Sequence, residues 1–331
     1  MRAARIAVTG GAGFIGSNLA RRMIDDGHEV TIIDDFSTGS EQNLRDLDVR
    51  ARVLRGDLGD RSFARNSLKN TDAVYHFAAE VGSVQYLHGS EARELFALQT
   101  NVLIDTNVFR AFLQNDVKSI VYASSVSVYP KHLQMRGSSP FKEEDSENPV
   151  EPEGGYGWSK YLAEKQLGMM SNVKVGIARI FHAYGKNIYL KPDKSQVIGS
   201  LMRKAIRYPK EDFVVWGDGS QKRCFVYIDD VIDALVLMQE YISRDSSLTV
   251  SLGSQEEVNV RELSEKIISL SGKKIPLRFD TSQPIGVLQR VPSLDRIGNT
   301  LGWKPTTTFD VGLKRTYEWA LQRIRNKGDF G

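Results

Sequence analysis

The chain has 331 residues, 41% hydrophobic and 26% charged, and its 44 basic and 41 acidic residues give a formal charge of +3. That length suits one large α/β unit or two merged lobes, and the interleaved charges lack the concentrated basic stripe of a nucleic-acid binder. A single cysteine, Cys224, excludes an internal disulfide framework, and no run approaches the ~18 consecutive apolar residues of a membrane span.

At the N-terminus, Arg2-Ala3-Ala4-Arg5 leads straight into a strand-like segment without the apolar core of a signal peptide. With the lone cysteine, this points to the cytoplasm. In chain order, Arg5–Thr9, Glu29–Asp34, Ala51–Arg55, Ala73–Phe77, Ser119–Ser124 and Val173–Ile180 read as strands, and the segments between them mostly carry helical spacing. Such alternation predicts an α/β fold with a doubly wound parallel sheet. The segment Glu91 to Leu113 is apolar over much of its circumference, through Leu95, Phe96, Leu98, Val102, Leu103, Val108, Phe109, Phe112 and Leu113. A surface helix shows one apolar stripe, so this one is expected to pack on the sheet and also on a second subunit, as a homodimer. Gly185–Ser195, rich in Lys, Pro and Asn, reads as loop, and shorter helices around Ser195–Arg207, Val260–Leu270 and Val311–Ile324 follow. Residues 1–180 are thus expected to form a dinucleotide-binding domain, to which the chain returns around 224–252. Residues 181–331 are expected to be mainly a smaller C-terminal α/β lobe that binds substrate. Arg223–Ile228 has a strand pattern in which Cys224 reads as a buried, inert thiol. The five histidines show no ligand spacing, and no metal is expected.

The first strand runs into Thr9-Gly10-Gly11-Ala12-Gly13-Phe14-Ile15-Gly16-Ser17, and a helical pattern follows. Glycines here permit a tight turn and close backbone approach to a pyrophosphate, for which the helix N-terminus supplies amide donors and partial positive charge. The second strand ends at Asp34, about 20 residues further on, where a carboxylate accepts hydrogen bonds from a ribose 2′-hydroxyl. The next residues, Phe36-Ser37-Thr38, offer no arginine for a 2′-phosphate, so NAD is favoured over NADP. The neighbouring Asp35 suits a solvated turn.

Tyr156-Gly157-Trp158-Ser159-Lys160 opens another helical pattern, with Tyr156 and Lys160 four apart on one face. A nearby ammonium lowers a phenol's pKa by stabilising the phenolate, as a base at neutral pH requires. The Ser-rich strand end Ala123–Tyr129 places Ser125 to hydrogen-bond a hydroxyl undergoing oxidation.

With these motifs in order, almost the whole chain resembles the extended short-chain dehydrogenase/reductase family, the nucleotide-sugar epimerases and dehydratases. The resemblance implies cofactor contacts from Gly10, Gly13, Phe14, Ile15, Gly16 and Asp34. It adds Asp57 and Leu58 at the adenine, Phe77, Ala78 and Ala79 beside the phosphates and nicotinamide, and Asn101 in the long helix. Ser125, Tyr156 and Lys160 match the family's catalytic trio. His182 stands where Asn is usual, Arg223 matches an arginine that contacts the nucleotide diphosphate or ribose, and Arg290 a second arginine that binds phosphate. The resemblance also places Ser127, Lys191 and Trp216 on the substrate side. His182 has a packed residue as its alternative, Lys191 a solvated lysine, and Trp216 a core filler.

Family dehydratases carry Asp-Glu, and decarboxylases Glu, just after the catalytic Ser or Thr; this chain has Val126-Ser127. What remains is oxidation at C4 followed by hydride return, which is epimerisation of a UDP- or GDP-linked hexose. Much of the C-terminal half resembles GDP-mannose 3,5-epimerase, whose Cys/Lys acid–base pair would correspond to Ser127 and Lys191. A hydroxyl is a far poorer base than a thiol, so C4 inversion without exchange at C3 or C5 is expected. A 3,5-epimerase is the alternative, and a 4-reductase or dehydrogenase that releases its cofactor a further one.

Overall fold

The apolar runs at the start of the chain form strands within one residue of the predicted bounds: β1 (Arg5–Thr9), β2 (Glu29–Asp34), β3 (Ala51–Arg55), β4 (Ala73–His76), β5 (Ser119–Ser125) and β6 (Lys174–Ile180). They belong to a computed structural model that describes residues 3–45, 47, 51–136, 140–283 and 286–326, so residues 1 and 2 of the N-terminal segment lie outside it. Between the strands lie helices α1 (Phe14–Asp25), α2 (Arg61–Ser67), α3 (Val84–His88), α4 (Glu91–Gln114), α5 (Lys131–Arg136) and α6 (Gly154–Gly168). Past β6 come β7 (Ala183–Tyr184), α7 (Val197–Arg207), β8 (Val214–Trp216), β9 (Lys222–Cys224), β10 (Val226–Tyr227), α8 (Ile228–Arg244) and β11 (Leu248–Leu252). The chain then forms β12 (Glu257–Asn259), α9 (Val260–Ser271), β13 (Arg278–Asp280), α10 (Asp295–Leu301) and α11 (Phe309–Arg325).

Among the described residues the central sheet has seven strands in the order β11-β6-β5-β4-β1-β2-β3, and every pairing in it is parallel. This is a Rossmann-type doubly wound sheet. Its hydrophobic strands are buried on both faces, by Leu19, Met23 and Met238 on one side and by Phe109, Phe112 and Leu167 on the other. Each such side chain contributes about 1.5–3 kcal/mol of burial. Order reverses between β1 and β4. Their following segments leave in opposite directions, and a crevice opens at their carboxyl ends.

Arg223–Ile228 is not one strand. β9 pairs antiparallel with β12, β10 pairs parallel with β7, and α8 begins at Ile228. The segment divides because its two halves find hydrogen-bond partners on different pieces of the C-terminal half.

Helix α4 is capped by Ser90, whose hydroxyl accepts the Arg93 amide at 3.3 Å, and it carries Glu91 and Glu94 in its first turn. One face buries Val108, Phe109 and Phe112 against the sheet and another packs on α6. A third leaves Leu95, Phe96, Leu103 and Leu113 about half exposed, and Trp158 and Leu162 of α6, with Met169 just after it, are exposed as well. No helix of the described residues is long and apolar enough to cross a membrane.

Candidate active site

A cavity of about 1670 Å³ opens at the crevice and extends under the C-terminal half, and every predicted site residue except Asn101 lines it. Its floor begins where the loop after β1 meets the loop after β4. Gly10 has φ +64° and its amide donates to the Ile33 carbonyl at 2.8 Å; a Cβ there would stand 2.7 Å from the Ala78 nitrogen. Only glycine satisfies both the dihedral and the close approach. Helix α1 starts after Gly13 with no capping side chain, and its first turn, Phe14, Ile15 and Gly16, lines the cavity. Its orphan amides and dipole form an anion site.

Asp34, 7% exposed, closes this cradle. One carboxylate oxygen accepts the Ala12 amide at 2.9 Å and the other the Phe36 amide at 2.8 Å. Burial pushes its pKa up even against these two bonds. Each oxygen keeps a lone pair for a hydroxyl donor, so Asp34 both shapes the glycine loop and can receive a ribose. Asp35 is exposed and accepts the Ser37 amide and hydroxyl. Asp57 is likewise exposed and holds the Gly59 amide at 2.7 Å, while Leu58 beside it is buried. The glycine cradle, the helix terminus and the carboxylate fit a dinucleotide such as NAD.

Asn101 stands behind the cavity wall. Only 1% exposed, it accepts the Glu80 amide at 2.6 Å and donates to the Glu80 carbonyl at 3.1 Å and to Ser159 Oγ at 3.3 Å. It clamps the loop carrying Phe77, Ala78 and Ala79 to α6. From there Asn101 supports the loop beside the cavity.

Ser125 ends β5, and α6 presents Tyr156 and Lys160 to the same part of the cavity. Lys160 is buried; its Nζ donates to the Ala123 carbonyl at 2.9 Å and lies 4.6 Å from the centre of the Tyr122 ring and 5.9 Å from that of Tyr156. Burial lowers the Lys160 pKa, while Asp105 and Glu164 oppose that effect. In the protein alone, burial dominates Tyr156. Burial pushes it up to about 12, a hydrogen bond from Ser125 pulls it back, and Asp105 adds to the rise. Removal of water from around a phenolate is the larger effect here. Asp105 belongs to a buried chain in which His76 bridges Thr9 Oγ1 at 2.5 Å and Asp105 at 2.9 Å, with Tyr122 donating to Asp105 at 3.1 Å.

On the substrate side, His182 packs edge-on against Phe225, and its Nε2 is buried without a hydrogen-bond partner. Burial, then Arg223 and Arg290, keep it well below the usual histidine range, so the ring is neutral. Arg223 is itself lowered to about 10 by burial and then by Arg290, with Glu153 opposing. Trp216 is 42% exposed and borders the cavity, so it is not a core filler. Lys191 is exposed at the rim. Cys224 is fully buried, and burial raises its thiol to about 12, in keeping with an inert residue.

Two cavity residues escaped sequence reasoning. Lys194 pairs with Glu80 at 2.8 Å and donates to Thr38 Oγ1 at 3.0 Å, tying the 185–195 loop to the cofactor side. Glu153 precedes α6, and its Oε2 accepts from Ser127 Oγ at 3.4 Å and pairs with Arg290 Nη2. The available signal was its place three residues before Tyr156, at the start of a catalytic helix.

Residues 6–253 match the NAD dependent epimerase/dehydratase family. GDP-mannose 3,5-epimerase 1 of Oryza sativa subsp. indica is 30% identical over 333 aligned residues, covering 99% of this chain and 84% of that protein. UDP-N-acetyl-alpha-D-glucosaminuronate decarboxylase of Bacillus cytotoxicus is 29% identical, covering 97% and 99%. Among solved structures, UDP-N-acetylglucosamine 4-epimerase from Methanobrevibacter ruminantium M1, in complex with UDP-N-acetylmuramic acid, superposes with a TM-score of 0.83 at 26% identity, covering 98% of this chain and all 100% of that one.

Proposed function

The chain belongs to the NAD dependent epimerase/dehydratase family, within the extended short-chain dehydrogenases/reductases, and from that premise we propose that it is a nucleotide-sugar epimerase working through a transient ketone at C4. The observation that carries this reading is the meeting of Ser125, Tyr156 and Lys160 in the cavity that also contains the dinucleotide cradle. When bound, NAD supplies reversible oxidation of the C4 alcohol and a cationic ring. Tyr156 takes the O4 proton, and Ser125, which lines the same part of the cavity, orients that oxygen. Lys160 holds positive charge next to Tyr156 and steadies the end of β5. His182, Arg223 and Arg290 offer donors to a diphosphate. In this reading residues 1–180, with the return through α8 and β11, hold the dinucleotide. Residues 181–331 mainly receive the sugar, and α4 and α6 pair with a second copy.

An epimerase regenerates its cofactor in every cycle. Steady turnover of UDP-, GDP-, CDP- or dTDP-hexoses without added NAD, with product stereochemistry read by NMR, is expected. A requirement for stoichiometric NAD or NADH would make the protein a 4-dehydrogenase or reductase instead.

A second reading, inversion at the carbons flanking C4, is favoured by one contact. C4 inversion alone was expected because position 127 carries a weak base. Glu153 brings a carboxylate to Ser127 from the start of α6, which removes that ground.

A further inference from the structure

We propose that Glu153 makes Ser127 a proton acceptor for a ring carbon adjacent to the C4 ketone. The inference rests on the transient-ketone reading above and assigns the base that acts beside that ketone. Glu153 and Ser127 meet at two points: the Glu153 amide donates to the Ser127 carbonyl at 2.8 Å, and Glu153 Oε2 accepts from Ser127 Oγ at 3.4 Å. The approach of the two segments is tight enough that a Cβ on Gly157 would collide with the Ser127 carbonyl oxygen. Glu153 occupies the N-cap position of α6, yet its side chain makes no capping bond. It is turned instead to Ser127 and Arg290, and all three residues line the cavity.

Stability does not account for this arrangement. The side chains of Glu153 and Arg290 are 18% and 11% exposed, and a pair so far from water gains little net stability over apolar packing. Arg290 also has a buried Nε without a hydrogen-bond partner, an arrangement that leaves a donor unspent in the site. The position relative to the reacting atoms is set by Ser125, whose Oγ accepts the Ser127 amide at 3.1 Å in one tight turn. If Ser125 and Tyr156 hold O4, Ser127 is the next hydroxyl along the wall.

A serine hydroxyl alone is a poor base, but a carboxylate on its proton removes the need to form an alkoxide. With C4 as a ketone, the adjacent C–H bond breaks and its electron pair passes into the enolate. The proton goes to Ser127 Oγ as the hydroxyl's own proton passes to Glu153 Oε2. A solvent-derived proton, passed through Lys191 at the cavity rim, re-forms the C–H bond as the enolate's electron pair returns to the ketone's neighbouring carbon, and Glu153 gives its proton back to solvent. Ser127 is the catalytic residue of this step. Glu153 acts through it, and Arg290 positions Glu153.

The test separates this step from the oxidation. GDP-4-keto-6-deoxymannose and dTDP-4-keto-6-deoxyglucose already carry the ketone, so exchange of their C3 and C5 hydrogens in deuterated water needs only a base. Wild type is expected to incorporate deuterium above the protein-free rate into at least one of them. Glu153→Gln and Ser127→Ala should lose about 100-fold of that exchange, within the ~10²–10⁴ typical of general acid–base catalysis. Adding Ser127→Cys to the Glu153→Gln protein should recover exchange, since a thiol of pKa ~8.5 needs no helper; that rescue also shows that the fold survives. No exchange by wild type on either ketone, or undiminished exchange by Glu153→Gln, overturns the proposal. Reduction of bound NAD by unoxidised nucleotide hexoses is followed separately by absorbance. A protein that exchanges the ketones but never reduces NAD would refute the C4-oxidation reading and leave the base assignment standing.

Discussion

Lys160 donates to the main-chain carbonyl of Ala123 at 2.9 Å, so its ammonium is anchored to the strand carrying Ser125. The helix spacing brings Tyr156 and Lys160 to one face, and this bond fixes their distance from β5. Burial nevertheless leaves the phenol at about 12 in the protein alone. A base is active when deprotonated, so activity should rise with pH along an acid limb. With NAD bound, that limb is expected well below 12, because a cationic ring favours the phenolate. Lys160→Met should move it to higher pH. A kcat against pH profile that stays in place in the Met variant would remove Lys160 from the tuning of Tyr156.

Tyr156→Phe should retain fold and NAD and lose ~10²–10⁴ of turnover, the usual range for a lost general base. The comparison is made at saturating sugar, with cofactor content measured after denaturation. Near-normal turnover would mean that another group takes the O4 proton.

Asp34 serves two backbone amides as well as any ribose. Asp34→Ala should therefore weaken NAD binding, reduce the preference against NADP, and lower stability by about 1–3 kcal/mol by leaving one buried and one partly buried amide unsatisfied. Calorimetric titration with NAD and NADP, together with thermal melts, separates these effects. Unchanged stability would show that the Ala12 and Phe36 amides find other partners.

The exposed apolar residues of α4 and α6, among them Leu103, Trp158 and Leu162, exceed what a solvated pair of helices needs. A homodimer is expected from light scattering, and Leu103→Glu with Leu162→Glu should shift it to the 37.1 kDa monomer. A wild-type monomer across working concentrations would contradict the prediction.

Much of this protein is legible without a structure because its determinants are local. The alternation of strand and helix periods fixes the doubly wound sheet. Gly10–Gly16 and Asp34 lie at the ends of successive strands, so their meeting follows from β1 and β2 being neighbours. Tyr156 and Lys160 meet because helix geometry brings residues four apart together. Tertiary structure decides what depends on distant segments and on exclusion of water. Asn101 became a clamp behind the cavity because α4 packs on α6. Tyr156 gained a high pKa because the closed fold removes its solvent. Arg290 reaches Glu153 across 137 positions of sequence, and Glu153 reaches Ser127 across 26. No periodicity encodes those separations, since they arise only when the start of α6, the turn after β5 and the C-terminal half pack around one cavity.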